Sequence, residues 1–100
     1  GRRVAVLGDM LELGSFALEL HQQVGQAARR AGLSVLVAVG ENARHLAGAA
    51  SGNCCEVVWV PDREQAWTEL SGRLQPGDTV LVKASRGVGL DWLARQLEAQ

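Results

Sequence analysis

The fold is decided by the stretch Val4-Ala5-Val6-Leu7-Gly8-Asp9-Met10-Leu11-Glu12-Leu13-Gly14. Its first four residues form an unbroken apolar run, which is typical of a strand buried on both faces of a parallel sheet. Gly8 and Asp9 then end the run with turn residues. Because ligands of open α/β sheets gather at the carboxyl ends of strands, the pattern predicts a central strand that places the Asp9 carboxylate near a binding site.

Three more apolar runs follow, at Val35–Val39, Glu56–Val60 and Thr79–Val82. Segments with helical periodicity lie at about residues 16–31, 41–50, 62–74 and 90–98, so strand and helix alternate four times. This alternation predicts an α/β protein: a three-layer α/β/α, Rossmann-like parallel sheet of four strands in the order 3-2-1-4. We expect one domain over residues 1–100, with a crevice between the loops that follow strands one and four.

Composition excludes several classes of function. Ten basic and eleven acidic residues balance, which argues against a nucleic-acid partner. No apolar run approaches the ~20 residues of a membrane span, so we expect no membrane partner. Cys54 and Cys55 are adjacent, and no second pair could complete a metal site. We expect reduced thiols in a cytoplasmic protein, with a reactive vicinal pair as the alternative.

The segment Lys83-Ala84-Ser85-Arg86-Gly87-Val88-Gly89 combines two cations, a hydroxyl group and two glycines after the fourth strand. Glycines let backbone N–H groups approach a ligand, and a helix start favours an anion, so a carboxylate or phosphate is the expected ligand. The alternative is a flexible turn with solvated charges. The segment does not match the Walker phosphate loop.

Asp9 could accept hydrogen bonds from an ammonium group, a ribose or a neighbouring cation, or it could cap a turn; the residues leave both open. Asn42 could bind a polar ligand, although capping of its own helix is favoured. We interpret His21 as a packing or surface residue. No catalytic triad or acid–base pair is visible, so the residues predict a domain that binds a small anionic or zwitterionic ligand.

Four segments resemble the MurF ligases: residues 6–14, Leu20-His21 with Val24-Gly25 after it, Val39-Gly40 and residues 81–90. The resemblance covers essentially the whole chain, with Ala84 standing where the family usually has glycine. The MurF ligases join D-Ala-D-Ala to UDP-MurNAc-tripeptide in peptidoglycan synthesis. In them ATP phosphorylates the tripeptide carboxylate, and the dipeptide amine then attacks the acyl phosphate, which gives the amide, ADP and phosphate.

The resemblance implies that this chain is the later part of the third, C-terminal domain of such a ligase, a fragment that lacks the first strands of that domain. ATP, Mg²⁺ and UDP-MurNAc-tripeptide would bind mainly to the central domain, so the isolated piece should be inactive and hold no catalytic residue or metal. Lys83, Ser85 and Arg86 would line the dipeptide face, Asn42 would face the incoming amino substrate, and Asp9 would flank the same crevice. The resemblance also implies a cytoplasmic monomer.

Two other classes remain open. One is a non-catalytic Rossmann-like module that binds a nucleotide or another small molecule. It would need Gly-x-Gly-x-x-Gly after the first strand, which Gly8-Asp9-Met10 does not provide. The other is a ligase-like regulator or partner subunit.

Overall fold

A four-stranded parallel sheet forms the centre of the computed structural model, which describes residues 1–52, 55–84 and 89–99. The strands run in the order β3-β2-β1-β4, as the sequence predicted. Their bounds are β1 Arg3–Gly8, β2 Val35–Val39, β3 Glu56–Val60 and β4 Thr79–Lys83, and the helices are α1 Ala17–Arg30, α2 Ala43–Ala50, α3 Arg63–Ser71 and α4 Asp91–Glu98.

Alternating side chains of the strands fill two separate cores, one on each face of the sheet. The valines of β1 and β2 pack with Ala66 and Leu70 of α3 and with Leu93 of α4. Smaller side chains, Ala5 and Ala38, lie with Leu36 on the other face, against α1 and α2. Every residue of β2 is buried. The three-layer α/β/α prediction is therefore confirmed, and the pleat of the strands explains which residues face which helices.

Several helix ends differ from the sequence prediction by one to three residues, and two of the differences have a clear cause. A 3₁₀ turn over Gly14–Phe16 precedes α1, so the regular helix begins at Ala17. Helix α3 ends at Ser71 rather than near residue 74, because Gly72 follows as its C-cap and glycine has a low helix propensity. Its start agrees with the prediction, since the Asp62 carboxylate accepts the N–H of Gln65 at 2.9 Å.

An ion pair links the residues that come just before β1 and β4. The Arg2 guanidinium donates to both carboxylate oxygens of Asp78, at 3.1 and 2.9 Å, and to the carbonyl of Arg73 at 2.6 Å. The N–H of Gln75 donates to the same carboxylate at 2.9 Å. The Arg2 hydrogen bonds, followed by that from Gln75, hold the pKa of Asp78 below its ordinary value.

Candidate functional site

The carboxyl ends of β1 and β4 lie side by side, because the two strands pair in parallel with Leu7 opposite Lys83. The loops that follow these strands therefore start at the same side of the sheet, called here the carboxyl edge. This is the arrangement that the sequence predicted for the crevice. Ser85 and Arg86, two of the predicted site residues, lie outside the described residues.

Asp9 is turned toward α2 and is nearly buried, with 7% of its surface exposed. One carboxylate oxygen accepts the N–H of Ala43 at 2.7 Å, and the other accepts that of Asn42 at 3.2 Å. The carboxylate thus satisfies two of the free N–H groups at the start of α2 and complements the positive end of the helix dipole. The sequence left open an ammonium group or a cation as the partner of Asp9. In the structure its partner is the start of α2 instead.

Gly40 makes the contact between Asp9 and α2 possible. A Cβ atom at this position would lie 2.6 Å from the Asp9 carboxylate, and the backbone φ of +117° is one that other residues rarely adopt. The carbonyl of Gly40 accepts the indole N–H of Trp59 at 2.7 Å. Trp59 therefore supports this turn, a role that its position in a strand did not indicate.

Asn42 occupies the N-cap position of α2, but its side chain makes no capping hydrogen bond. The prediction that Asn42 caps its own helix is therefore wrong, because Asp9 from the neighbouring strand supplies the acceptor instead. The side chain of Asn42 is half-buried at the carboxyl edge. Within the described part of the chain, the side chain is therefore available for another polar partner.

Lys83 is exposed at the end of β4, beside a small cavity of about 280 Å³. The cavity lies between the ends of β1 and β4 and the helices α1 and α2. It is lined by Leu7, Gly8, Met10, Val24, Leu46, Lys83 and Ala84. A mainly apolar wall with one ammonium group at its rim suits a small ligand that carries a carboxylate.

A second cavity of about 390 Å³ lies on the other side of Asp9, where β1, β2 and β3 end. Four carboxylates and one guanidinium are among its lining residues: Asp9, Glu41, Asp62, Arg63 and Glu64. The carboxyl edge is thus acidic beyond Asp9 and carries a cation at β4. A larger cavity, of about 770 Å³, lies away from this edge, between the turn before β4 and helix α4.

His21 makes a contact that the sequence did not predict. It is fully buried on α1, and the N–H of Met10 donates to its Nε2 atom at 3.0 Å. One histidine among polar neighbours on an amphipathic helix gives no signal of a contact eleven residues back. The packing interpretation is correct as to burial, but it missed the hydrogen bond to the loop.

The remaining candidate chemistry is limited. Burial raises the pKa of the Cys55 thiol, which disfavours the reactive thiolate form, and Cys54 lies outside the described residues. No group of three His, Cys, Asp or Glu side chains in the described part of the chain could hold a metal ion. Over residues 1–52, 55–84 and 89–99, no helix has the length and apolar character needed to cross a membrane.

Comparison with known proteins gives consistent matches. The family model described as "Mur ligase, glutamate ligase domain" matches residues 1–86. The UDP-N-acetylmuramoyl-tripeptide–D-alanyl-D-alanine ligase of Mycobacterium leprae is 43% identical over 98 residues, which cover 93% of this chain and 19% of that protein. The ligase of the same name from Synechocystis is 39% identical over 99% of this chain and 22% of its own length.

A solved structure agrees with these relatives. Crystal structure II of MurF from Acinetobacter baumannii superposes on the whole chain with a TM-score of 0.85 and 26% sequence identity, over 23% of the MurF chain. The present chain therefore spans about a fifth of the length of the curated relatives that it matches.

Proposed function

The chain belongs to the Mur ligase family, and we propose that it is the C-terminal domain of an ATP-dependent ligase that joins D-Ala-D-Ala to UDP-MurNAc-tripeptide. The observation that carries this proposal is the similarity of nearly the whole chain to ligases of that name, at up to 43% identity among those reported above. The proposal places the reaction in the cytoplasm, as a step of peptidoglycan synthesis. The isolated domain has no ligase activity of its own.

The carboxyl edge supports this function because its charges suit a zwitterionic dipeptide. Lys83, at the rim of the apolar cavity, offers an ammonium group for the dipeptide carboxylate, and the cavity wall suits the methyl groups of alanine. Ser85 and Arg86 follow Lys83 along the chain and extend the same basic segment. We propose that these three residues hold the carboxylate end of D-Ala-D-Ala.

Asn42 and Asp9 have different parts in the proposal. The half-buried amide of Asn42, which does not cap α2, binds the incoming amino substrate. Asp9 acts on the substrate indirectly, because its carboxylate holds the start of α2 and with it the backbone of Asn42. The dipeptide amine then lies toward the acidic part of the carboxyl edge.

ATP phosphates do not fit the start of α2, and no group of three His, Cys, Asp or Glu side chains in the described residues could hold Mg²⁺. The N–H groups at the start of α2, which could bind phosphate, are occupied by the Asp9 carboxylate. The acidic residues of the edge also repel phosphate. ATP supplies the activation of the tripeptide carboxylate when it is bound elsewhere in the ligase, and no step is assigned to it in this domain. The same two observations disfavour a free-standing nucleotide-binding module.

The reaction itself tests the proposal. The full-length polypeptide that carries this domain is incubated with ATP, UDP-MurNAc-tripeptide and D-Ala-D-Ala, and products are followed by mass spectrometry. We expect the tripeptide to gain the mass of the dipeptide less one water, with one ADP formed per product. Parallel reactions with D-Ala alone and with L-Ala-L-Ala serve as controls. Turnover of either control in place of D-Ala-D-Ala, or of none of the three, contradicts the proposal.

A further inference from the structure

We propose that His21 is a positioning residue that fixes the loop over residues 9–16, here called the β1–α1 loop, at the carboxyl edge. The inference rests on the proposed function, because it assigns the loop a part in binding D-Ala-D-Ala. It concerns a side chain that is fully buried on α1.

The two ring nitrogens of His21 have different partners. The Met10 N–H lies 3.0 Å from Nε2, and the carbonyl oxygen of Ala17 lies 2.6 Å from Nδ1. A backbone N–H can only donate and a carbonyl can only accept. The proton therefore lies on Nδ1, and Nε2 presents its lone pair to the loop. The ring joins the first turn of α1 to the second residue of the loop through a single tautomer.

The loop needs such a restraint because its backbone is strained. Glu12 has a φ of +63°, a conformation that is unfavourable for a residue with a side chain and persists only where the surroundings enforce it. His21 holds the loop two residues before Glu12, and the 3₁₀ turn over Gly14–Phe16 holds it just after. The strained segment is thus fixed at both ends.

The same contact links the loop to α2. Helix α1 lies against α2 at Gly25, where a Cβ atom would come within 2.3 Å of the Leu46 carbonyl oxygen. His21 ties α1 to the loop, and Asp9 ties the loop to the start of α2. The loop, α1 and α2 are thus each joined to the other two. Loss of the His21 hydrogen bond therefore lets the loop move relative to Asn42 and Lys83, which are proposed to bind the dipeptide.

Two variants of the full-length ligase separate this role from packing. The amide nitrogen of His21→Asn can still donate near the Nδ1 position, but its shorter side chain cannot reach the Met10 N–H. The amide oxygen of His21→Gln lies near the Nε2 position and can accept that N–H. Each variant is assayed for kcat/KM with D-Ala-D-Ala, for KM with ATP, and for hydrogen exchange of the loop peptide by mass spectrometry.

We expect His21→Asn to exchange the loop amides faster and to lower kcat/KM for the dipeptide about tenfold, because a partly buried N–H loses its acceptor. The KM for the dipeptide should rise more than the KM for ATP, and His21→Gln should recover kcat/KM to within about threefold of the unmodified ligase. Exchange in peptides of β2 should stay unchanged in both variants, which shows that the fold is kept.

Equal losses in the two variants, or unchanged loop exchange in His21→Asn, would overturn the positioning role. Equal rises in both KM values would overturn it as well. If the unmodified ligase does not use D-Ala-D-Ala at all, the proposed function fails, and with it the loop's part in dipeptide binding. The exchange data then decide separately whether His21 fixes the loop.

Discussion

At the scale of single residues, Asp9 joins the candidate site to the stability of the fold. Its carboxylate caps a helix that belongs to another strand–helix unit, and it does so from a nearly buried position. Charge-assisted hydrogen bonds to N–H groups are stronger than neutral ones, and burial reduces their screening by solvent. Asp9 is thus a tertiary cap, that is, a helix cap supplied by a residue distant in the sequence. The position of Asn42 depends on it.

We predict that Asp9→Asn lowers the free energy of unfolding by about 1–3 kcal/mol, because two N–H groups, one buried and one partly buried, lose their charged acceptor and one oxygen is replaced by a donor. Asp62→Asn on α3 is the matched control, since that exposed cap bonds one backbone N–H and asparagine caps helices nearly as well as aspartate. Urea unfolding of both variants measures the difference. Equal losses would contradict the tertiary cap.

The sequence could predict the location of Asp9 but not its partner. Gly8-Asp9 after an apolar run places a carboxylate at the carboxyl edge with only local rules. The choice between a ligand and α2 depends on the close approach at Gly40 across two strands, which no local pattern contains. For the same reason Asn42 looked like a cap, because its own helix was considered without β1.

At the scale of helices, the close contact between α1 and α2 depends on Gly25, because glycine has no side chain to separate them. A Cβ atom on Gly25 would lie 2.3 Å from the Leu46 carbonyl oxygen and 2.8 Å from the Cβ of Ala49. Neither atom belongs to a flexible side chain, so a methyl group would push the two helices apart. Both helices carry residues that the proposed site uses.

Gly25→Ala should therefore destabilise the protein by roughly 2–4 kcal/mol, despite the better helix propensity of alanine, because overpacking displaces backbone. Gly48→Ala on α2 is the control: it meets no atom within 4 Å and should stabilise by about 0.5–1 kcal/mol. Thermal and urea unfolding check both signs. Stabilisation by Gly25→Ala would show that the helices are not held at this distance.

The Arg2–Asp78 pair at the amino ends of β1 and β4 predicts a dependence of stability on pH. The pKa of Asp78 is lowered in the folded chain, first by the hydrogen bonds from Arg2 and then by that from Gln75. Its stabilising effect is therefore complete above the pKa of the unfolded chain, about 4, and disappears as pH falls through the lowered value.

We expect the unfolding free energies of the native chain and Asp78→Asn to differ by a constant amount between about pH 5 and pH 7, and to converge below about pH 4. Urea titrations at several pH values measure the two curves. A difference that grows on acidification would have the wrong sign for a carboxyl group with a lowered pKa.

Strand bounds were predicted best where turn residues bracket an apolar run. The strands β2 and β3 have the predicted bounds, since apolar runs between turn residues specify them locally. The start of α1 was less accurate because the residues at Gly14–Phe16 form a 3₁₀ turn, whose short-range hydrogen bonds leave no periodic pattern of their own.

At the scale of the whole molecule, the strand order decides where the site lies. Because β1 pairs with β4 on one side and β2 on the other, the basic segment after β4 and the acidic loop after β1 start next to each other. The outer strand β4 exposes Leu81 with 57% of its surface accessible, whereas β2 is buried throughout. Lys83, which pairs with Leu7 at the end of β4, and Asp9, which follows β1, therefore lie at the same edge of the sheet.

This arrangement followed from the sequence through the alternation of strands and helices, because right-handed crossovers leave few topologies for four parallel strands. The substrate did not follow from the same pattern. Many ligands suit a cation beside a carboxylate, and only the resemblance in residues 6–14 and 81–90 pointed to a dipeptide ligase.

The most direct test of the account is the KM for D-Ala-D-Ala in the full-length ligase after Lys83→Ala and after Arg86→Ala, compared with Arg95→Ala on the exposed face of α4 as a control of equal charge change. We predict a rise of about tenfold or more for the first two, because each would lose the proposed charge-assisted bond to the dipeptide carboxylate, with the KM for ATP changed by less than about twofold. A dipeptide KM that stays at the control value, or an equal rise for ATP, would contradict it.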